Sequence, residues 1–180
     1  MDKIKLKDKE FQISIPYDTI YEAVKKIATQ INEDFRDKET PIFLSILNGA
    51  FMFTADLFKE LEIEGYLSFV KFASYQGTTS SGEVKELLGI NEDLKDKNVI
   101  ILEDIVDSGL TIKQVADQVA SFQPREMRIA TLLLKPAIFK GEVKLDYIGM
   151  EVPNDFIIGY GLDYDGLGRN HRDIYKVVSR

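Results

Sequence analysis

Cysteine is absent from the 180 residues, and histidine occurs once, as His171. The first absence removes disulfide scaffolds, thiolate zinc sites and cysteine nucleophiles, and agrees with a reducing compartment. The second excludes a multi-histidine metal cluster, and His171 itself reads as a structural or surface residue. No run of consecutive Lys and Arg forms a basic patch, and 23 Lys+Arg stand against 30 Asp+Glu, a formal net charge of −7. Such a balance repels phosphate backbones and anionic lipid, so neither nucleic acid nor a membrane is expected as a partner. No apolar stretch approaches the roughly 18 residues that would span a bilayer. The segment MDKIKLKDKE is charged throughout, and Phe11 to Ile15 is too short for a signal-peptide core, which leaves a cytoplasmic location as the expectation. There is no low-complexity tract, linker or internal repeat. What is present, 44% hydrophobic and 29% charged residues, is the composition of an ordinary folded chain, expected to form one domain over residues 1–180.

From Tyr17 to Phe35 the apolar positions Ile20, Tyr21, Val24, Ile27, Ala28, Ile31 and Phe35 recur at three- and four-residue steps, the face of a helix that Asp18 or Thr19 would cap. Ile42 to Leu47 reads as a strand, Asn48-Gly49 as a break, and Ala50, Phe53, Leu57 and Leu61 as a second helix face. Tyr66 to Ala73 alternates as a strand does, whereas Tyr75 to Glu83 (YQGTTSSGE) is small, polar and glycine-bounded, and reads as a surface loop. Asn98 to Leu102 is a short β-branched run, followed by an acidic turn and a helix from about Thr111 to Phe122, where Thr111 and Gln114 have capping-box spacing. Met127 to Leu134, Tyr147 to Met150, Phe156 to Tyr160 and Ile174 to Val178 are further strand candidates. Strands alternating with helices predict an α/β fold with a mostly parallel sheet, whose ligands gather at the carboxyl ends of the strands.

The chemistry concentrates in Leu102-Glu103-Asp104-Ile105-Val106-Asp107-Ser108-Gly109-Leu110-Thr111. Three carboxylates and a Ser-Gly-x-Thr turn precede a helix, where unpaired amides and the helix dipole favour an anion. Ser108 and Thr111 hydroxyls can donate to phosphate oxygens, and Gly109 lets the backbone approach closely. Glu103 and Asp104 accept hydrogen bonds, so sugar hydroxyls or a divalent cation carrying a polyphosphate suit them, and Asp107 is placed as a proton acceptor beside the same ligand. An acidic strand-to-helix loop capped by a hydroxyl is the ordinary structural alternative. Rival motifs fail: Gly77 to Gly82 has P-loop spacing, but Glu83-Val84 stands where Lys and Ser/Thr are required. Asp163-Tyr164-Asp165 begins like a calcium loop, yet Leu167 and Ile174 occupy ligand positions.

The run VIILEDIVDSGLT resembles the 5-phosphoribosyl-1-diphosphate (PRPP) signature of the type I phosphoribosyltransferases, and within them the hypoxanthine phosphoribosyltransferases. The resemblance continues through Leu47-Asn48-Gly49-Ala50-Phe51, Ser74-Tyr75, GTTSSGEVK, Lys135, Phe156-Ile157, Gly161-Leu162-Asp163-Tyr164 and Arg169, in order over about residues 40 to 170. It implies a type I phosphoribosyltransferase fold, with the parallel sheet flanked by helices and a small hood formed by the N- and C-terminal segments. It implies that Glu103 and Asp104 hold the ribose hydroxyls together with Mg²⁺, that Asp107 to Thr111, Leu110 included, form the 5′-phosphate loop, and that Asp107 is the general base or acid at purine N7. Lys135 would donate to the purine 6-oxo group, Phe156 stack on the base, Ile157 read the base edge through its backbone and Ile105 line the opposite wall. Asp163 would act as a metal-linked and base-edge acceptor, and Arg169 as a pyrophosphate ligand. Leu47, Asn48 and Gly49 would bind pyrophosphate through backbone donors on a strained or cis peptide, and Asn48 departs from the Lys or Arg of many relatives. Ser74 and Tyr75 would belong to a lid spanning the Tyr75 to Glu83 loop, which excludes water from an oxocarbenium-like centre.

The activity implied is transfer of the phosphoribosyl group of PRPP to N9 of hypoxanthine, and of guanine as well, with Mg²⁺ as cofactor and a homodimer or homotetramer as the assembly. Taken without the resemblance, Lys135 reads as a snorkelling lysine, Phe156 and Ile157 as core, Asp163 as a solvated turn residue and Arg169 as a surface charge. A xanthine- or guanine-preferring relative would keep the same motifs. A PRPP-sensing regulator without activity would keep the phosphate loop, and would add a basic surface that this sequence lacks.

Overall fold

The computed structural model describes residues 3–73, 85–90 and 92–178. Two sheets organise them. The larger joins β3 (Ile42–Leu47), β4 (Tyr66–Ala73), β5 (Lys85–Leu88), β6 (Asn98–Val106), β7 (Glu126–Leu134) and β8 (Tyr147–Glu151) in the order β5-β4-β3-β6-β7-β8. All neighbours in it are parallel except β5, which runs antiparallel to β4. The smaller joins β1 (Lys3–Leu6), β2 (Lys9–Ile15), β9 (Ile157–Ile158) and β10 (Ile174–Val177) as β1-β2-β10-β9, antiparallel throughout. It is the expected hood, built from both terminal segments.

Three helices cover the parallel sheet: α1 (Tyr17–Phe35), α2 (Phe51–Glu60) and α3 (Leu110–Ser121). Strands buried on both faces carry continuous apolar runs, and alternate residues serve opposite layers. Phe43, Ile100, Leu102, Ala130 and Leu132 meet α1 and α2 in one core; Ile42, Leu44, Ile46, Val99, Ile101 and Ile129 meet Ile112, Val115, Ala116 and Val119 of α3 in the other. From β3 the chain passes through α2 outward to β4, and from β6 through α3 in the opposite direction to β7. β3 and β6 are neighbours, so the sheet has its topological switch point between their carboxyl ends, where α/β proteins bind ligands.

Several local expectations change. β6 does not end at Leu102 but runs to Val106, so Glu103 and Asp104 are strand residues and not loop residues. The α3 cap is Gly109 at φ +86°, with no side-chain cap bond, so Thr111 lies inside the first turn and the Thr111–Gln114 capping box is not formed. A Cβ at Gly109 would come within 2.7 Å of the Phe139 ring, a second reason for glycine there. Pro16, not Asp18 or Thr19, precedes α1, and its first amide, Tyr17 N–H, donates to Asp173 Oδ1 at 2.7 Å from the far end of the chain. The Phe156 to Tyr160 strand shrinks to Ile157–Ile158, because Gly159, Tyr160 and Gly161 all take positive φ.

That left-handed stretch is pinned from beneath. The buried Asp56 carboxylate of α2 accepts from Tyr160 Oη at 2.7 Å, Tyr17 Oη at 3.2 Å and Lys59 Nζ at 2.7 Å. Burial alone would raise the Asp56 carboxyl, but Lys59, Tyr160 and Tyr17 together hold it below its ordinary 3.8. Burial, and then the same bond, push the Tyr160 phenol far up, so it stays a donor. A carboxyl depressed by folding contributes stability above its unfolded pKa and loses it as the pH falls through the folded value. Asp56→Asn should therefore cost about 1–3 kcal/mol at neutral pH. Thermal melts should show the gap from the parent chain narrowing below about pH 3.8.

Candidate active site

The last residues of β6 put two acids into the sheet. Glu103 and Asp104 are each only 8% exposed, although they are adjacent in sequence. The Asp104 N–H donates to Glu103 Oε1 at 3.2 Å and the Ile105 N–H to Asp104 Oδ1 at 2.9 Å, so part of their demand is met by the strand's own amides. Burial, and next the Asp104 charge, push the Glu103 carboxyl well up. Burial raises Asp104 too, against the opposing pull of Glu103, the Ile105 amide and the Arg169 charge. Two buried oxygen ligands side by side, both short of positive charge, suit a hard divalent cation of the magnesium type, which binds through one or two carboxylates plus substrate phosphate.

Beyond Val106 the chain leaves the sheet as Asp107-Ser108-Gly109 and enters α3 at Leu110. Glu103, Ile105, Asp107, Ser108, Gly109 and Thr111 line a cavity of about 180 Å³ at the amino end of that helix. Ser108 Oγ accepts from the Leu110 N–H at 3.4 Å, while Leu110 itself is exposed. Lys135 follows the neighbouring strand β7; its N–H donates to Val106 O at 3.0 Å and its ammonium, on a side chain buried along its length, stands 3.1 Å from Asp107 Oδ1. The snorkelling reading of Lys135 does not describe this inward-turned residue.

A second group lies at the carboxyl end of β3. The Leu47–Asn48 peptide is cis, and Asn48 is exposed. A Cβ at Gly49 would overlap the Asp104 carboxylate, and one at Gly161 would overlap the Gly49 carbonyl. The loop after β3 is thus wedged between the buried acid and the segment that follows β9. Arg169 secures that segment: Nη1 donates to Gly161 O at 2.8 Å, Nη2 pairs with Asp163 Oδ1 at 2.7 Å, and the Gly161 N–H returns to Arg169 O at 3.0 Å. Asp163 Oδ2 also accepts from the Gly166 N–H at 2.7 Å. Phe156 is 44% exposed at the hood edge, and Ile157 is buried in β9.

Among the described residues, no three His, Cys, Asp or Glu side chains gather as metal ligands. Asp163 stands with Arg169, whose Nη2 it pairs at 2.7 Å. Ser74 and Tyr75, with the expected lid at 75–83, lie outside the described residues. Reading the sequence gave Gly161 no individual role; the glycine-dense run from Gly159 to Gly168 was the available signal that backbones approach closely there.

A parallel sheet with a buried carboxylate pair and an anion-ready helix start at its switch point defines an α/β protein built to take a phosphorylated ligand. Residues 16–165 match the phosphoribosyl transferase domain, and the chain belongs to that family. It is 34% identical to the hypoxanthine phosphoribosyltransferase of Escherichia coli K12 over 169 residues, 93% of this chain and 95% of that protein. Among solved structures it is similar to a hypoxanthine-guanine phosphoribosyltransferase from Bacillus anthracis, with a TM-score of 0.86 and 36% identity, covering 93% of this chain and 98% of that one. It is also similar to the hypoxanthine phosphoribosyltransferase of Trypanosoma cruzi in complex with the product IMP, with a TM-score of 0.87 and 33% identity, covering 97% of each chain.

The contact between Gly49 and Asp104 is testable without substrate. Gly49→Ala should destabilise by about 1–3 kcal/mol through overpacking. In a double-mutant cycle, Asp104→Ala should recover most of that loss, because it removes the group that the new methyl meets. Additive melting shifts would show that the two residues are independent.

Proposed function

We propose that the chain transfers the 5-phosphoribosyl group of PRPP to N9 of hypoxanthine, and of guanine, giving the purine mononucleotide and pyrophosphate. The observation that carries this reading is the continuity of β6: a buried acidic pair leads directly into an anion-ready turn, with the Lys135 ammonium 3.1 Å from Asp107 at its side. The family match and the IMP complex of the Trypanosoma cruzi relative support the same ligand class.

In this reading Asp107 to Thr111 hold the 5′-phosphate through the first amides of α3 and the Ser108 and Thr111 hydroxyls. Glu103 and Asp104 face the ribose hydroxyls and are the residues that would hold Mg²⁺. When bound, Mg²⁺ supplies positive charge for the diphosphate. Backbone donors of Leu47, Asn48 and Gly49, with the Arg169 guanidinium, receive the departing pyrophosphate, while Asp163 keeps Arg169 in place and faces the base edge. The C1–oxygen bond to pyrophosphate breaks as the N9–C1 bond forms, and Asp107 takes the proton from purine N7. Holding both reactants in line and stabilising the developing charge supply the rate. Phe156 stacks on the base, Ile157 and Ile105 flank it, and Lys135 donates to the 6-oxo oxygen. Adenine presents an amino group there, so two donors would meet unpaired.

The whole chain is proposed to act as one phosphoribosyltransferase domain, since the hood strands on either side of the family match pair with each other. No helix among the described residues is long and apolar enough to cross a membrane. A cytoplasmic location is part of the same proposal. Leu67 and Phe69, exposed on β4, support a homodimer or homotetramer.

An ultraviolet assay with hypoxanthine, PRPP and Mg²⁺ should show conversion that a chelator abolishes; no conversion would sink the reading. Asp107→Ala should lower kcat by about 10²–10⁴-fold with little change in KM. Lys135→Ala should raise the KM for hypoxanthine about tenfold or more and weaken discrimination against adenine in competition assays.

A further inference from the structure

Tyr164 has no role in the scheme above, yet it stands where the hood, the exposed Phe156 and the Arg169 segment meet. Its ring is edge-on to Phe156, with centroids 5.5 Å apart and planes at 84°. Phe11, fully buried in β2, lies 6.2 Å from the Phe156 ring and 6.3 Å from the Tyr164 ring. The backbone that presents Tyr164 is a two-residue hairpin turn. Its N–H donates to Leu167 O at 2.8 Å, the Leu167 N–H returns at 3.2 Å, and Asp165 and Gly166 take φ of +50° and +82°. Asp-Gly is the pair that fits two left-handed positions in such a turn.

The tip of this turn is tied to the β1–β2 hairpin. Tyr164 Oη donates to Asp8 Oδ1 at 2.7 Å, Lys7 pairs with Asp165, and the Lys7 and Lys9 ammonium groups lie 6.0 and 5.5 Å from the centre of the Tyr164 ring. Its base is closed by the Asp163–Arg169 pair. The tyrosine is therefore fixed at its hydroxyl, along its ring and through both backbone neighbours. Phe156 is not held in this way on its outer side, where it faces solvent. A ring that must stack on a planar ligand binds it better when its orientation is set beforehand, and an edge-to-face partner sets orientation as well as position.

We infer that Tyr164 is a positioning residue for base binding: together with Phe11 its ring braces Phe156 from behind. The inference rests on the reading of Phe156 as the residue that stacks on the base.

Steady-state kinetics on the full chain separate this role from a structural one. Tyr164→Leu should raise the KM for hypoxanthine about three- to tenfold, the range of an aromatic pair, and leave the KM for PRPP within about twofold. Tyr164→Phe keeps the ring and gives up the bond to Asp8, and should return the hypoxanthine KM to within about twofold of the parent chain. If Tyr164→Leu does not fold, Tyr164→Met is measured with the same expectation. Equal rises in both KM values, no change in either, or a Tyr164→Phe defect as large as that of Tyr164→Leu would overturn the brace. Failure of the unmutated chain to convert hypoxanthine would overturn the functional reading, and the brace with it.

Discussion

The fold is organised around the burial of two acidic side chains at the end of its central strand. Removing a carboxylate from water costs several kcal/mol unless charge or hydrogen bonds compensate. Among the described residues, the compensation at Glu103 and Asp104 comes from the bond between the two acids, the amides of Asp104 and Ile105 and the charge of Arg169, and burial still pushes both carboxyls up. Both acceptors lie on β6, inside the six-stranded sheet, and groups held on a strand cost less to order when a ligand arrives.

That constraint spreads outward by contact. Asp104 leaves no room for a side chain at Gly49, and the Gly49 carbonyl leaves none at Gly161. Gly161 O is held by Arg169, which is held by Asp163. The loop after β3 and the segment after β9 are therefore fitted to one another across the switch point, although about a hundred residues of chain separate them. The Asp56 cluster supports the same segment from the opposite side through Tyr160. The loop after β3, the end of β6, α2 and the segment after β9 thus share one mechanical frame.

Much of this was legible in the sequence. The bounds of α1, β3 and β4 follow directly from periodicity and from Pro41, Asn48 and Gly49. The acidic turn is marked by residue type, whereas Lys135, Phe156 and the Asp163–Arg169 segment are marked by family resemblance alone. The rest failed for physical reasons. Glu and Asp are depleted from strands, so β6 seemed to stop at Leu102, whereas the sheet carries the pair inside it. β1 and β2 alternate with a period of two, but their lysines and Glu10 mask the pattern; on an edge strand such as β1, lysines discourage unwanted pairing. The cap of α1 comes from Asp173, 156 residues away, beyond any local signal. Spacing likewise does not reveal that Lys135 turns inward to Asp107.

The hood pairs the first strands of the described chain with the last, β2 lying between β1 and β10. During synthesis the parallel sheet can assemble as its strands emerge, whereas β2 has no partner on its inner side until β10 has left the ribosome. The same late segment delivers Asp173 to the exposed start of α1 and draws the Phe156 and Arg169 regions into place. Closure of the hood thus waits on β10: the two layers around the parallel sheet draw on none of β2's pairing, whereas β2 is flanked on both sides only once β10 is present.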